Sequence, residues 1–162
     1  MNINKEELFL FTDASVHPQS CIGIGAYLLI NKEQFESANL ESEIKLQRFN
    51  NTSSTKLELE TLLWALKNED LEKHKVLTYT DCQNIIGLEN RRVKLESKEY
   101  KNTQGKLINN HLLYKQFYTQ IDRIEVIFIK VKGHRKPSTK NDIDKIFTLV
   151  DRASRKALRN IL

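Results

Sequence analysis

The sequence has few of the residues that mark fibrous or secreted proteins. Its 162 residues include only five glycines, two prolines and two cysteines. So few glycines and prolines exclude a collagen-like or linker-rich chain. The two cysteines, Cys21 and Cys82, are too few for a disulfide framework and are typical of a protein from a reducing compartment.

Long hydrophobic runs are also missing. No apolar stretch reaches the ~20 residues that a membrane-spanning helix needs. The first residues, MNINKEELFLFTDAS, do not have the pattern of a secretory signal, because acids precede a short apolar run that leads into Asp13. We therefore expect a cytoplasmic protein with no membrane association.

The overall composition is that of a soluble globular protein. Hydrophobic residues make up 40% and charged residues 29% of the chain, unlike a disordered sequence of low hydrophobicity. A length of 162 residues predicts a single domain over residues 1–162. Lys and Arg (26) outnumber Asp and Glu (21), which gives a formal net charge of +5. This charge permits a polyanionic partner without requiring one.

Hydrophobic periodicity predicts an α/β chain. Short apolar runs predict five strands, at residues 8–12, 21–30, 42–49, 75–80 and 123–132. Apolar residues at helical spacing predict four helices, at residues 55–67, 82–92, 107–121 and 142–162. The polar segment 91–106 is interpreted as a loop or a frayed helix. Strands that come first and then alternate with helices are typical of a mixed sheet with helices on its faces.

Two of the predicted strands end directly in an aspartate. The run LFLFT stops at Asp13, and VLTYT stops at Asp81. An acid after a buried apolar strand is costly unless it reaches solvent or binds a cation. Either residue alone is more often a turn residue. The shared Thr-Asp ending favours a common site at one edge of the sheet, provided that the two strands are neighbours.

Two further acids lie near the start of the helix at 55–67. Glu58 and Glu60 flank its leucine stripe on opposite sides, so periodicity does not decide which of them faces the sheet edge. Each is also an ordinary acid for the first turns of a helix, where the helix dipole favours negative charge.

Six segments occur in the order in which type 1 ribonucleases H carry them. They are FTDAS at 11–15, GIGAYL at 23–28, TKLELETLLWAL at 55–66, YTDCQNIIGL at 79–88, VKGH at 131–134 and VDRASRKAL at 150–158. The sequence resembles that family over nearly its whole length. The resemblance implies a ribonuclease H-like α/β fold, with a five-stranded mixed sheet flanked by helices on both faces. It also implies an endonuclease that hydrolyses the RNA strand of RNA–DNA hybrids to 5′-phosphate and 3′-hydroxyl ends.

The resemblance further implies that four acids hold two Mg²⁺ ions, with Mn²⁺ as an alternative, and that a histidine assists proton transfer or product release. These catalytic residues are Asp13, Glu58, Asp81, Asp151 and His134. The TKLEL segment selects Glu58 rather than Glu60. Carboxylate oxygens are the ligands that hard Mg²⁺ takes. Two such ions on one phosphate can activate water and stabilise the departing oxygen.

The fourth acid has two candidates. The usual spacing of the family after His134 favours Asp144, whereas the local pattern favours Asp151. Ser154 supplies the small residue that is expected one turn after the acid, and Asp144 would place Phe147 there. We therefore expect Asp151, with Asp144 as the alternative.

The resemblance also implies a set of substrate-binding residues. They are Ser15, Ser54, Thr55, Lys56, Arg91, Arg92 and Lys94. Ser54 and Thr55 stand where many family members carry asparagines. Their hydroxyls can bond a ribose 2′-OH, but the exchange leaves the selectivity for RNA open. The basic segment 91–106 has the position of the family's substrate-gripping handle, which would contact phosphates of the DNA strand. A solvated loop is the alternative interpretation.

An RNA–DNA hybrid is therefore the expected partner, bound by a monomer. Two alternative functions stay open. A protein of the same fold could bind hybrids or double-stranded RNA without cutting them, and a related nuclease could act on DNA.

Overall fold

The computed structural model of the chain describes residues 4–132 and 141–162. Within these ranges five strands form one sheet in the order β3-β2-β1-β4-β5. The strands are β1 (Glu6–His17), β2 (Ile22–Ile30), β3 (Lys45–Phe49), β4 (His74–Thr80) and β5 (Glu125–Lys130). β2 pairs antiparallel with β1 and β3, whereas β4 pairs in parallel with β1 and β5. The sheet is therefore mixed, as predicted.

Five α-helices and one 3₁₀ turn, at Lys32–Glu36, complete the described part of the chain. The helices are α1 (Leu40–Glu43), α2 (Ser54–Asn68), α3 (Gln83–Ser97), α4 (His111–Arg123) and α5 (Asp142–Ile161). The short helix α1 occupies the start of a segment predicted as strand, so the third strand begins only at Lys45. Across the described ranges, every helix is too short or too polar to cross a bilayer.

The sheet separates two hydrophobic cores. Leu10 of β1 packs with residues of α2 and α4, in a core that contains Leu62 and Phe117. Phe11, the next residue of β1, packs in a second core with Val150 of α5. Successive side chains of a strand point to opposite faces of the sheet. Helices therefore cover both faces, and the predicted five-stranded sheet flanked by helices on both sides is confirmed.

β1 continues past the residue at which the hydropathy pattern ends it. The predicted stop at Asp13 is wrong, since β1 runs on to His17. Residues 14–17 stay extended because they pair with β2 as an antiparallel hairpin, from Asp13↔Ala26 to His17↔Ile22. Asp13 therefore lies within a central strand rather than in a turn.

The basic segment 91–106 begins as helix rather than as loop. α3 continues to Ser97 instead of ending at residue 92. The guanidinium of Arg92 donates to both carboxylate oxygens of Asp122 in α4, at 2.6 and 2.7 Å, and to Glu96 one turn later, at 2.9 Å. These contacts tie the second half of α3 to α4.

Candidate metal centre

The parallel pairing of β1 with β4 brings two acids together. The register runs from Glu6↔His74 to Phe11↔Tyr79, so Asp13 and Asp81 each lie two residues beyond the same last pair. Glu58 of α2 joins them. Carboxylate oxygens of Asp13, Glu58 and Asp81 all lie within 4.8 Å of one another. Asp13 is buried, Glu58 is half-buried and Asp81 is exposed, so the group opens to solvent on the side of Asp81.

A close approach between β2 and α2 sets the position of Glu58. Gly25 lies opposite Ala14 in the hairpin, and a Cβ atom at Gly25 would overlap the side chain of Thr61. Thr61 is fully buried, and its hydroxyl donates to the Leu57 carbonyl within α2 (2.7 Å). The absent side chain at residue 25 therefore lets α2 lie directly on the strand next to the one that carries Asp13.

Asp151 of α5 provides a fourth carboxylate. It lines a cavity of about 400 Å³ together with Asp13, Glu58 and Asp81. We call this space the carboxylate cavity. Asp151 is close enough to raise the pKa of Asp13, and its Oδ1 lies 2.9 Å from Nε of Arg155. Four acids, from β1, α2, α5 and the position that follows β4, thus line one cavity, and three of them lie within 4.8 Å of one another.

Burial and mutual repulsion raise the pKa values of the two inner acids. For Asp13, loss of solvent raises the pKa most, followed by the charge of Glu58, a hydrogen bond with Asp151 and the charge of Asp81. For Glu58, loss of solvent again raises the pKa most, and the charge of Asp81 adds to it. Each negative charge disfavours the others, so a cation in the cavity would relieve the repulsion.

The donor set fits a hard divalent cation. Glu58 Oε2 is buried and has no hydrogen-bond partner among the described residues. A buried acceptor that lacks a donor is costly unless a water or a cation satisfies it. Carboxylate oxygens are also the ligand type that Mg²⁺ and Mn²⁺ favour. The residues present could therefore hold a metal ion.

The structure places the two rival acids outside the cavity lining. Glu60, on the other side of the leucine stripe, accepts a hydrogen bond from the Thr52 hydroxyl at 2.6 Å. Asp144 lies in the first turn of α5, where it forms a capping box with Asn141. Both positions suit acids that stabilise local structure.

The predicted substrate-binding residues before α3 lie at the carboxylate cavity and in the first turn of α2. Ser15 lines the carboxylate cavity. Ser54 and Thr55 are exposed in the first turn of α2. Lys56 donates to a backbone carbonyl of the loop before α2, at 3.0 Å. The first turn of α2 therefore presents hydroxyls to solvent a single turn before Glu58.

The basic part of α3 lines a second cavity of about 230 Å³. The cationic residues in the lining of this cavity are Arg91, Lys94, Lys98 and Lys101. Tyr100, an aromatic residue of the segment 91–106, also lines this cavity and is buried. Arg92 is different, because Asp122 and Glu96 occupy its guanidinium. The structure therefore gives Arg92 a role in joining α3 to α4.

One predicted catalytic residue lies outside the described part of the chain, and the sequence pattern did not predict two residues that line the carboxylate cavity. His134 lies outside the described residues. Arg155 and Arg159, which the sequence analysis does not single out, line the carboxylate cavity. Their spacing of four and eight residues after Asp151 was the available signal, because such residues share one helix face.

Comparison with known proteins identifies the family. The RNase H family profile matches residues 5–156, which is nearly the whole chain. The chain therefore belongs to the RNase H family, as the sequence motifs predicted, and this membership supports a nuclease of the RNase H type. A search of curated proteins found no match.

Solved structures show the same fold. One of them is the foamy viral protease-reverse transcriptase in complex with dsDNA. The match covers 94% of this chain and 95% of that chain, with a TM-score of 0.61 and 14% sequence identity. The described architecture is thus the RNase H-like fold.

Proposed function

We propose that this chain is a metal-dependent endonuclease that hydrolyses the RNA strand of RNA–DNA hybrids, leaving 5′-phosphate and 3′-hydroxyl ends. The observation that carries the proposal is the meeting of Asp13, Glu58 and Asp81, with oxygens within 4.8 Å, in a chain of the RNase H family. Asp151 on the wall of the same cavity completes the acid set. These four acids would hold two Mg²⁺ ions, with Mn²⁺ as an alternative.

Such a pair of cations would supply an activated water and would neutralise charge on the scissile phosphate. The residues of the chain provide a rigid frame for that chemistry. Asp13 is held in a central strand that pairs on both sides, and Glu58 is held by the close contact of α2 with β2. The exposed side at Asp81 leaves an opening through which a backbone phosphate can enter.

Recognition of the hybrid would involve two surfaces. The exposed hydroxyls of Ser54 and Thr55 lie one turn from Glu58 and can bond the 2′-OH that distinguishes RNA from DNA. The cationic residues around the second cavity, Arg91 and Lys94 among them, would neutralise phosphates of the DNA strand. Assistance by His134 in proton movement or product release is proposed from its motif alone.

A panel of labelled duplexes tests the proposal. The full chain is incubated with an RNA–DNA hybrid, double-stranded RNA or double-stranded DNA, in Mg²⁺, Mn²⁺ or EDTA. We expect cleavage of the RNA in the hybrid, dependent on the metal. Its products should accept a 5′ label only after phosphatase treatment, because they carry 5′-phosphates.

Two variants make the panel specific to the site. Asp81→Asn should abolish cleavage, whereas Asp70→Asn, at an exposed position outside the cavity lining, should cut at the rate of the unsubstituted chain. Cleavage of the hybrid by Asp81→Asn at the unsubstituted rate refutes the site. Binding of the hybrid in Mg²⁺ without cutting would favour the non-catalytic alternative, and cleavage of double-stranded DNA alone would favour a DNA nuclease.

A further inference from the structure

We propose that Arg155 and Arg159 bind a backbone phosphate of the nucleic-acid strand that enters the carboxylate cavity. This inference rests on the proposed nuclease function and adds to it the residues that hold the cleaved strand beside the metal site. Both arginines line the same cavity as the four carboxylates.

Asp151 and the two arginines form a row along one face of α5. A spacing of four residues places successive side chains on the same helix face. With the helical rise, Arg155 lies about 6 Å and Arg159 about 12 Å beyond Asp151 along the helix axis. The row therefore leads from a carboxylate at the metal site outward along the cavity wall, where a strand that runs through the site would continue.

The pairing of Arg155 can be exchanged. Its Nε lies 2.9 Å from Asp151, and its side chain is 53% exposed, so this ion pair contributes little to folding. If Asp151 held a metal ion, its charge would be shared with that cation. The guanidinium can then turn its fork of N–H donors to a phosphate, which it binds in a bidentate manner.

The charge balance of the cavity favours an anion at this position. The two divalent cations of the proposed function offset the charges of the four carboxylates. The guanidinium charges of Arg155 and Arg159 are then left without a counter-charge among the residues that line the cavity. A phosphate next to the scissile one would supply that charge, and its contact would hold the strand in register.

Arg152 provides a matched control on the same helix. It is exposed and lines a different groove, together with Ile44 and Leu149. Replacement of Arg152 by alanine removes the same charge and the same kind of side chain from α5, but on a face away from the carboxylate cavity.

The experiment measures binding of a fluorescent RNA–DNA hybrid in Mg²⁺ by the full chain carrying Asp81→Asn, which prevents cleavage. In this background R155A/R159A should raise Kd about tenfold near 0.1 M salt. The steepness of log affinity against log salt should fall by about one, since one phosphate contact contributes about 0.9. Arg152→Ala should change Kd less than about twofold and leave the slope unaltered, because it loses no phosphate contact.

A kinetic readout uses the chain with all four acids intact. In single-turnover cleavage, R155A/R159A should raise the protein concentration that gives half-maximal rate about tenfold, in line with the loss of phosphate contacts. Arg155→Lys keeps the charge and loses the fork, so it should keep the salt slope. Should the double variant fail to fold, Arg159→Gln provides a second test. Residue 159 is exposed, so this variant should fold, and the loss of its phosphate contact should still lower the slope.

The outcomes separate this inference from the function on which it rests. A chain that neither binds nor cuts any duplex overturns both. A chain that binds and cuts the hybrid, but whose folded arginine variants keep the Kd and slope of the Arg152→Ala control, overturns the arginine assignment alone.

Discussion

The hydroxyls of Ser15 and Ser154 lie 2.9 Å apart and join β1 to α5. Ser154 also donates to the backbone carbonyl of Asp151 at 2.9 Å, so the proton shared between the two serines comes from Ser15. Since Ser15 follows Asp13 by two residues in β1, this contact ties together the two elements that carry Asp13 and Asp151. It holds the fourth acid at a defined distance from the first.

Removal of either serine hydroxyl should loosen the site as well as the fold. We expect Ser15→Ala and Ser154→Ala each to lower the free energy of unfolding by about 1 kcal/mol. Because both changes break the same bond, the double variant should lose less than the sum of the two single losses. Urea unfolding gives the stabilities, and calorimetric titration with Mg²⁺ should show a weaker affinity for both single variants.

A serine at the end of α3 provides the control. The hydroxyl of Ser97 donates only to the Lys94 carbonyl in its own helix, among the contacts described. Ser97→Ala should therefore leave the Mg²⁺ affinity unchanged. Fully additive losses in the double serine variant would show that the contact between β1 and α5 has no energetic weight.

Two glutamates on one helix give the sharpest test of which acid enters the site. Glu58→Gln should reduce cleavage at least about 100-fold, because it removes an anionic ligand from the metal site. Glu60→Gln should cut within about threefold of the unsubstituted rate, since an amide oxygen can still accept the hydrogen bond from Thr52. Equal losses of single-turnover rate in the two variants would contradict the assignment of Glu58.

The raised pKa values predict how the metal-free protein responds to pH. Asp13 and Glu58 have higher pKa values in the folded chain than the ordinary 3.8 and 4.5. Above about pH 4 the folded chain therefore binds more protons than the unfolded chain, and the free energy of unfolding falls as pH rises. In EDTA we expect a loss on the order of 2 kcal/mol between pH 5 and pH 8 from these groups.

The acid Asp13 can be removed to isolate this effect. Asp13→Asn should flatten the pH dependence in EDTA and raise the metal-free stability, because a neutral amide does not repel Glu58. Added Mg²⁺ should restore stability to the unsubstituted chain at high pH but not to Asp13→Asn. Urea unfolding across the pH range measures both effects, and a pH profile that Asp13→Asn leaves unchanged would assign the dependence to other groups.

The sequence pattern predicts those parts of the site that follow from local rules. The Thr-Asp endings mark Asp13 and Asp81 because each acid follows a buried apolar run, and the leucine stripe marks the helix that carries Glu58 and Glu60. The choice between these glutamates needed the family motif, since both flank the stripe. In the structure, the side of α2 that faces β1 and β2 decides which glutamate enters the site.

Features set by distant pairing could not be predicted in this way. β1 extends to His17 because β2 pairs with it, although Asp13 interrupts the apolar run that marks the strand in the sequence. The sequence gives no sign that Arg92 is paired, because its partner Asp122 is thirty residues away. Arg155 becomes a cavity residue only once Asp151 is known to face the site.

The close contact of β2 with α2 makes a further prediction. A Cβ at Gly25 would overlap the Thr61 hydroxyl and would lie 2.9 Å from its Cγ2. We expect Gly25→Ala to lower the free energy of unfolding by about 1–3 kcal/mol, as for other overpacked sites. The second change Thr61→Ala removes the overlapping atoms and should cost less in the Gly25→Ala chain than in the unsubstituted one.

Gly87 supplies the control for this change. It lies in α3, and a Cβ there would meet nothing within 4 Å. Gly87→Ala should therefore stabilise the chain by up to about 1 kcal/mol, because alanine favours helix. Urea unfolding of the variants measures all these effects. An equal response of the two glycines would mean that the contact at residue 25 does not constrain α2.

The last prediction concerns the two acids of α5. Asp151→Asn should lose cleavage by at least about 100-fold, since it removes a ligand from the cavity, and its Mg²⁺ affinity should fall in parallel. Asp144→Asn should keep cleavage within about threefold, because the amide oxygen can still accept from the Asn141 backbone in the capping box.

Stability separates the two acids in the opposite sense. Asp144 is buried in the first turn of α5, where its negative charge also interacts favourably with the helix dipole, so Asp144→Asn should cost about 0.5–1 kcal/mol. Asp151→Asn removes only a half-exposed pair with Arg155 and relieves repulsion with Asp13, so its metal-free stability should be equal or higher. Single-turnover rates and urea unfolding in EDTA measure both quantities. If Asp144→Asn lost cleavage while Asp151→Asn kept it, Asp144 would be the fourth acid, and α5 would have to reach the site through its first turn.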